Sequence, residues 1–388
     1  MKLTNFLGVA LFAQHTFAHP GESAEEVAQE AAVRRAYLAA NERSLAHCAD
    51  SLKARGNDVA MHKRRAALIE AARAETSTQP YLQERDLDDV ININHRSNLT
   101  GISPNSTPGT LFSGMNSCVL SPEVTEGPYW VGGELVRENI TDGQKGVPLT
   151  LHVQLVDIKT CKPIPEVYLE IWHCNSTGVY SGVVASGNGN SNDKSNINTT
   201  FHRGLQQSDA EGVVKFRTTF PGHYTGRATH IHVMSTVDAT ENKNNTITGG
   251  SVTHVGQMFF DQGLITQVEK EAPYTNNRQE LTTNAKDGIL AQEAKTTDPF
   301  IEYVMLGDKI SDGIFGWLAF GIDTSASQQV SAAGVLTGTG GASAGGDART
   351  SGASSTGTLP ASRSMVSSTM AMTVSLSAAT SLAAWNWW

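Results

Sequence analysis

The chain has 388 residues, of which 39% are hydrophobic and 17% charged, and its formal net charge is −9 at pH 7. This length is sufficient for at least one domain with a substantial core. The negative charge, without a cluster of basic residues, gives no reason to expect a nucleic-acid partner.

The first eighteen residues have the composition of a secretory signal peptide. One lysine precedes an apolar run, Phe6 to Phe12, and Thr16-Phe17-Ala18 supplies the small residues of a cleavage site. The apolar run is too short to span a bilayer. We therefore predict a signal peptide over 1–18 and a secreted mature chain that begins near His19.

Sequons and cysteines also suit an oxidising, extracellular compartment. Six Asn-x-Ser/Thr sequons are candidate glycosylation sites, although some would arise by chance: Asn98, Asn105, Asn139, Asn175, Asn198 and Asn244. The four cysteines form an even set that allows three disulfide connectivities: Cys48, Cys118, Cys161 and Cys174.

The strand pattern favours one of these connectivities. Residues 147–157 and 166–173 are typical of a β-hairpin, with Cys161 at its turn and Cys174 at its open end. A bridge between those two cysteines would need Cα atoms closer than the length of a strand allows. We therefore favour the pairs Cys118–Cys174 and Cys48–Cys161.

A helical hairpin is predicted over 19–76. Ser23-Ala24-Glu25-Glu26 is a capping-box pattern that begins a helix running to about Arg55, and Gly56 follows as its stop. A second helix runs from Asp58 to about Ala74. The pair packs on the main domain or on another copy of the chain, and the polar segment 77–115 follows as an extended connector.

Residues 116–324 show the alternation of β-strands. Apolar and polar residues alternate in four segments, and apolar stretches add three more: 147–155, 167–171, 214–220, 231–233, 258–260, 303–306 and 315–320. Short strands separated by Gly, Pro and Asn turns predict a mainly β protein with a β-sandwich core.

The composition changes after Thr324 to Ser, Thr, Gly and Ala, which predicts a disordered tail over 325–388. Its last part, Met365 to Trp388, is uncharged and moderately apolar. Small residues, a polar spacer and an apolar end resemble a glycolipid-anchor signal, which would attach the protein to the cell surface. The alternative is a tail that remains on the secreted protein.

The segment Asp209 to Met234 contains the most informative pattern. His230 and His232 lie on one face of a predicted strand, because alternate side chains of a strand share a face. A bare His-x-His often matches by chance, but Tyr224 precedes this pair and Tyr180 ends another strand. A phenol with a pKa of about 10 ionises at neutral pH only beside a strong cation. Two tyrosines with two histidines therefore favour Fe(III) over zinc or copper.

Five motifs, in this order, resemble those of the intradiol ring-cleavage dioxygenases, and especially the secreted fungal members of that family. The resemblance covers roughly Cys118 to Phe320 and rests on Thr125-Glu126-Gly127-Pro128-Tyr129, Glu170-Ile171-Trp172 with Gly178-Val179-Tyr180, Phe216-Arg217-Thr218 with Pro221-Gly222-His223-Tyr224, Arg227-Ala228-Thr229-His230-Ile231-His232, and Gln257-Met258-Phe259-Phe260.

The resemblance implies a β-sandwich that holds one non-haem Fe(III) per chain and uses O2 to open the ring of a small aromatic diol. The implied iron ligands are Tyr180, Tyr224, His230 and His232. Tyr224 and His232 are the implied axial pair, and Tyr224 is the ligand that leaves with a proton when substrate binds. The substrate-binding residues implied by the same motifs are Tyr129, Arg227 and Gln257. The expected product is a muconate-type diacid, and Arg227 is expected to stabilise charge during the reaction.

Two departures from the family pattern leave alternatives open. Only Thr225 to Thr229 separate the second tyrosine from the first histidine, so we expect a short loop and a more open site. His223 is a potential competing ligand, and a zinc hydrolase that uses His223 with the two predicted histidine ligands is one rival function. The other rival is a binding module without catalytic activity. The sequence does not distinguish among catechols, hydroxyquinols and carboxylated catechols.

Overall fold

The computed structural model describes residues 45–76, 127–294 and 298–336, together with 28, 32, 35, 36, 96, 117 and 118. The predicted signal peptide, the sequons at Asn98 and Asn105, and the tail beyond residue 336 lie outside the described residues.

The described residues contain the following α-helices and β-strands. In order they are α1 (Ala49–Ala54), α2 (Asn57–Thr76), β1 (Ser117–Cys118), β2 (Val131–Gly132), β3 (Pro148–Asp157), β4 (Tyr168–Trp172), β5 (Arg203–Gln207), β6 (Val213–Thr219), β7 (His230–Glu241), β8 (Ile247–Phe259), α3 (Gln262–Val268), α4 (Gly288–Glu293), β9 (Glu302–Met305), β10 (Ile314–Ile322) and β11 (Gly334–Val335).

The strands form two main sheets. The first has the order β1-β10-β3-β6, with β9 also paired to β10, and the second has the order β5-β4-β7-β8. A third, two-stranded sheet joins β11 to β2, so the prediction that the chain is disordered from residue 325 onward is wrong for this strand. Inward-facing residues of both main sheets belong to one buried cluster, which includes Leu151 of β3, Phe216 of β6, Ile171 of β4 and Val233 of β7. The prediction of a mainly β protein with a sandwich core and N-terminal helices is therefore confirmed.

The predicted hairpin of residues 147–157 with 166–173 is wrong. β3 pairs with β10 in parallel and with β6 in antiparallel orientation, whereas β4 lies in the other sheet between β5 and β7. The chain crosses from one sheet to the other between Asp157 and Tyr168. Apolar alternation identifies which face of a strand is buried, but it does not identify the neighbouring strand.

The N-terminal helices pack on the first sheet of the same chain. Gly56 adopts a φ of +70° between α1 and α2, as expected for a glycine that ends a helix. Ile69 of α2 packs with Phe315 and Trp317 of β10, and the Arg64 side chain lies 2.5 Å from Asp209 Oδ2. Among the described residues, no helix combines the length and apolar character needed to cross a bilayer.

The structure contains one of the two favoured disulfides. Cys48 and Cys161 are bonded, with their Cα atoms 5.1 Å apart, and this bridge joins the helical segment to the turn after β3. The proposed partner bridge, Cys118–Cys174, is wrong. Cys174 is a buried free thiol that donates to Gly222 O at 3.3 Å, because it follows β4 in the second sheet while Cys118 lies beside Phe320 in the first.

Candidate metal centre

Four side chains from three separate segments converge at one end of the second sheet. His230 and His232 begin β7, Tyr180 follows β4, and Tyr224 lies in the loop after β6. His230 Nε2 lies 3.5 Å from the Tyr180 hydroxyl, 3.4 Å from the Tyr224 hydroxyl and 3.1 Å from His232 Nε2. These are the four predicted ligands, and the fold brings their donor atoms together.

The histidine rings are oriented by their surroundings. His230 Nδ1 lies 2.6 Å from Ala228 O, and a carbonyl can only accept, so Nδ1 carries the proton and Nε2 presents its lone pair. The His232 ring is parallel to the Trp172 indole, with an interplanar angle of 2° and centroids 4.8 Å apart. His230 Nε2 therefore faces the two phenol oxygens and His232 Nε2.

The donor set fits one small, highly charged cation. Metal–nitrogen bonds of about 2 Å place neighbouring ligands about 3 Å apart, close to the spacings among these atoms. Burial raises the pKa of both phenols above the ordinary value, even though Arg227 acts in the opposite direction. Both tyrosines are therefore protonated without a cation, and ferric iron is hard enough to hold them as phenolates.

The main chain of Tyr180 is fixed by buried asparagines from the polar loop that follows it. Tyr180 N donates to Asn188 Oδ1 at 2.7 Å, and Tyr180 O accepts from Asn188 Nδ2 at 2.9 Å and from Asn196 Nδ2 at 2.8 Å. The Tyr129 ring stacks on the Tyr180 ring with centroids 4.8 Å apart. The Asn-rich composition of this loop therefore serves to position a site residue.

A buried ionic cluster lies behind Tyr180. The Arg203 guanidinium is 5.9 Å from the centre of the Tyr180 ring and donates to Tyr129 O at 2.6 Å. Glu134 is 3.8 Å from Arg203. Glu170 accepts from the Trp130 indole and belongs to the same cluster. Burial, and then the charge of Glu134, raise the pKa of Glu170 to about 8.

The predicted substrate-binding residues form a connected network beside the histidines. Arg227 Nη2 donates to Gln257 Oε1 at 2.5 Å, and this bond turns the Gln257 amide nitrogen toward His232 Nδ1 at 3.5 Å. Arg227 Nε donates to Asp287 Oδ2 at 3.0 Å. The Tyr129 hydroxyl is buried without a hydrogen-bond partner among the described residues.

The short loop of Thr225 to Thr229 does not leave the site open, contrary to our expectation. None of the four predicted ligands is more than 3% exposed. The segment after α3 braces the loop, because Gly226 N donates to Thr282 Oγ1 at 2.9 Å and Asn277 Nδ2 donates to His223 O at 2.7 Å.

His223 does not take part in the site. Its Nδ1 pairs with Glu269 Oε1 at 2.8 Å and its Nε2 donates to Gln279 O at 2.9 Å, so both ring nitrogens are used. Burial lowers the pKa of His223, but the bonds to Glu269 and Gln279 outweigh this effect and raise it above the ordinary value. The zinc hydrolase interpretation, which needs His223 as a ligand, is therefore wrong.

One other group of histidine and cysteine side chains among the described residues has metal-like spacing. It consists of His47, Cys48 and Cys161, and its two sulfurs are joined in the disulfide. Four histidines outside the predicted ligand set are also fully buried: His152, His173, His202 and His254.

Sequence reasoning missed the residues that support the site. Asp287 and Arg203 lie far along the chain from the residues they contact, and no local motif marks them. Asn188 and Asn196 stand in a polar loop whose composition is equally typical of a solvent-exposed turn. Trp172 and Glu170 lay inside a motif that we had singled out.

The chain is similar to known dioxygenases over this region. A family model described as "Dioxygenase" matches residues 124–303. Catechol 1,2-dioxygenase of Pseudomonas sp. (strain EST1001) is 34% identical over 112 residues, which are 27% of this chain and 32% of that protein. Catechol 1,2-dioxygenase 1 of Acinetobacter lwoffii is 30% identical over 109 residues, again 27% and 32%. The chain thus spans about a third of the length of these curated relatives.

A solved structure matches over most of its own length. The intradiol ring-cleavage dioxygenase from Tetranychus urticae is 31% identical, and the match covers 54% of this chain and 98% of that chain, with a TM-score of 0.44. The family assignment rests on the family-model match and on the sequence identity to the two catechol 1,2-dioxygenases. Together they show that the chain belongs to the intradiol ring-cleavage dioxygenase family.

Proposed function

We propose that this protein is a secreted non-haem Fe(III) dioxygenase that cleaves catechol-type rings between the two hydroxyl-bearing carbons. The observation that carries the proposal is the convergence of the two phenol oxygens and His232 Nε2 within 3.1–3.5 Å of His230 Nε2. The curated relatives are named catechol 1,2-dioxygenases, which supports an aromatic diol and O2 as the substrates.

When bound, Fe(III) supplies the Lewis acidity and redox capacity that make a chelated catechol reactive toward O2. The chain's own residues provide a base, orientation and a dry cavity. Tyr224 Oη is the proposed acceptor of a catechol proton, because Tyr224 lies in the loop after β6, whereas the main chain of Tyr180 is held by Asn188 and Asn196. Tyr180, packed between Tyr129 and Arg203, is the proposed permanent ligand.

Arg227 and Gln257 are the proposed orienting groups for the substrate ring. Both are buried, with 1% and 0% exposure, and their direct bond joins the guanidinium to the amide group that approaches His232 Nδ1. A guanidinium in a site closed to water stabilises negative charge that develops on the ring or on its oxygens. Tyr129 stacks beside the ligands and completes the proposed aromatic wall of the pocket.

We also propose that the protein is secreted, with residues 1–18 as its signal peptide and glycans on exposed sequons. Asn139, Asn198 and Asn244 are exposed, whereas Asn175 is half-buried and its amide donates to Gln144 Oε1. The observed disulfide suits an oxidising compartment. Removal of N-glycans from the secreted protein should lower its mass, and an unchanged mass would contradict glycosylation.

The C-terminal segment 365–388 is the proposed glycolipid-anchor signal, so the anchored protein should lack it and be released from membranes by phospholipase. Mass spectrometry that finds Trp388 in the mature secreted protein would contradict this proposal.

The direct test of the reaction uses iron-loaded mature protein and a panel of catechols, hydroxyquinols and carboxylated catechols under ¹⁸O2. We expect one O2 consumed per ring opened and a muconate-type diacid in which each new carboxylate carries one ¹⁸O. The matched control is the Tyr180→Phe variant. Iron-loaded protein that leaves every diol intact would contradict the proposal and favour a binding module.

A further inference from the structure

Asp287 is a buried carboxylate that makes four hydrogen bonds and that no motif pointed to. It is 1% exposed and precedes the short helix α4. Its Oδ1 accepts from Ile289 N at 2.8 Å and from Leu290 N at 2.9 Å, which caps that helix. Its Oδ2 has no part in the cap and is directed toward the metal centre.

The first connection made by Oδ2 runs through side chains. Arg227 Nε donates to Asp287 Oδ2 at 3.0 Å, and Arg227 Nη2 donates to Gln257 Oε1 at 2.5 Å. The amide nitrogen of Gln257 then approaches His232 Nδ1 in a long contact of 3.5 Å. One carboxylate oxygen thus stands at the end of a chain of buried groups that reaches a predicted ligand.

The second connection made by Oδ2 runs through the main chain. Ala228 N donates to Asp287 Oδ2 at 2.6 Å, and the carbonyl of the same residue accepts from His230 Nδ1 at 2.6 Å. Ala228 is therefore held on both sides, by the carboxylate and by the imidazole. The position of its carbonyl fixes the tautomer of His230, so this connection decides which nitrogen faces the cation.

We propose that Asp287 is a common positioning residue, which sets both histidine ligands and the orienting arginine through a single carboxylate oxygen. The inference rests on the proposed function, because it assumes that these histidines bind the metal. Its physical basis is that partners of the ligands, rather than the ligands themselves, fix ring orientation and ligand basicity. Asp287 touches neither substrate nor metal.

The positioning role of Asp287 depends on its negative charge. Burial raises the pKa of the carboxyl group, but Arg227 and the backbone N–H donors outweigh that effect and hold it below the ordinary value, so Asp287 is ionised. Arg227 is itself buried and charged, and truncation of one partner in such a pair leaves the other charge uncompensated. A neutral residue in place of Asp287 would therefore cap α4 but would not compensate the charge of Arg227.

The test uses a variant that keeps the helix cap but loses the contacts made by Oδ2. Asp287→Ser keeps a short hydroxyl able to cap α4, but its single oxygen cannot also reach Arg227 and Ala228. The matched control is Asp193→Ser, since Asp193 caps an exposed turn of 3₁₀-helix through Ser195 N and lies in the surface loop.

The first measurement is NMR of ¹⁵N-histidine-labelled protein without metal, with the His230 signal assigned by its loss in His230→Gln. Wild type and Asp193→Ser should show His230 with a protected Nδ1–H. In Asp287→Ser we expect exchange of that proton to accelerate at least about tenfold, and iron affinity to fall about 10- to 100-fold. A wild-type His230 signal with wild-type iron affinity in Asp287→Ser would overturn the proposal.

A second variant avoids the uncompensated buried charge that could prevent the protein from folding. Asp287→Ser combined with Arg227→Met removes the buried positive charge together with its counterion. The bond to Ala228 is still lost, so the faster Nδ1–H exchange of His230 must persist, and its absence would overturn the proposal. The NMR result needs neither iron nor activity. An inactive wild type would therefore contradict the proposed function without deciding the role of Asp287.

Discussion

Replacement of Tyr224 by phenylalanine should separate catalysis from stability. The Tyr224 hydroxyl lies 3.4 Å from His230 Nε2, which is a long contact for a hydrogen bond. Its removal should therefore change the free energy of unfolding by no more than about 1 kcal/mol. Loss of a general base lowers a rate about 10²- to 10⁴-fold. In barrier height that is about 3–5 kcal/mol, several times the effect on folding.

The assay is stopped-flow absorption of iron-loaded protein mixed with catechol in the absence of O2. Tyr224→Phe should retain its iron but form the catechol complex slowly, because the proton acceptor is missing. Tyr180→Phe should instead weaken iron binding and change the absorption of both the resting and the catechol-bound protein. Tyr168→Phe is the matched control, since its hydroxyl is also 3.4 Å from its partner, Glu241, but far from the site. Fast complex formation by Tyr224→Phe and slow formation by Tyr180→Phe would show that the two roles are reversed.

Three further predictions follow from the groups around the site. Arg203→Met should destabilise the protein by about 3–5 kcal/mol in chemical denaturation, because the buried carboxylate of Glu134 loses its cation, and unchanged stability would refute the structural role. The same change should shift the absorption of the Tyr180 phenolate. Cys48→Ser removes a disulfide that spans 113 residues and should lower the free energy of unfolding by about 2–5 kcal/mol. The absorption of the bound iron should stay unchanged, and an altered absorption would contradict the expectation that the disulfide does not affect the metal site. His223→Gln should lower the stability of the protein most below about pH 6.5, because the ion pair with Glu269 needs a protonated imidazole. The loss should vanish as the pH rises through the raised pKa of His223 in the folded protein. A loss of stability that does not depend on pH would contradict this ion pair.

The sequence was sufficient to predict the fold class and the residues that meet at the site. Period-two alternation located four strands, for example 147–155 at β3 and 214–220 at β6, because a half-buried strand must place its apolar residues on one face. His230 and His232 were placed on one face of β7 for the same reason. Tyr180 and Tyr224 were brought into the set by chemistry, since a metal that accepts phenolate explains both.

The alternation of apolar and polar residues did not predict which strands pair with each other. β3 pairs with β10, which lies more than 150 residues later, and nothing local in either strand specifies that partner. The same limit produced the error at Cys174. Once 166–173 was assigned to a hairpin with β3, its cysteine was placed near the wrong sheet, whereas β4 actually pairs with β5 and β7.

The supporting residues were hidden for a related reason. Asp287 reaches Arg227 across 60 positions of sequence, and Arg203 reaches Tyr129 across 74. Interactions of this kind depend on how loops pack, and periodicity carries no information about loops. The expectation of an open site failed in the same way, because the bracing segment around Asn277 and Thr282 was not recognised as part of the site.

The most direct test of the ferric site is the visible absorption spectrum of the purified protein, measured together with its iron content. Two phenolates bound to Fe(III) should give about one iron per chain and a strong charge-transfer band in the visible range, which Tyr180→Phe shifts or abolishes. A colourless protein that binds no iron yet still opens the catechol ring would contradict the assignment of Tyr180, Tyr224, His230 and His232 as ligands.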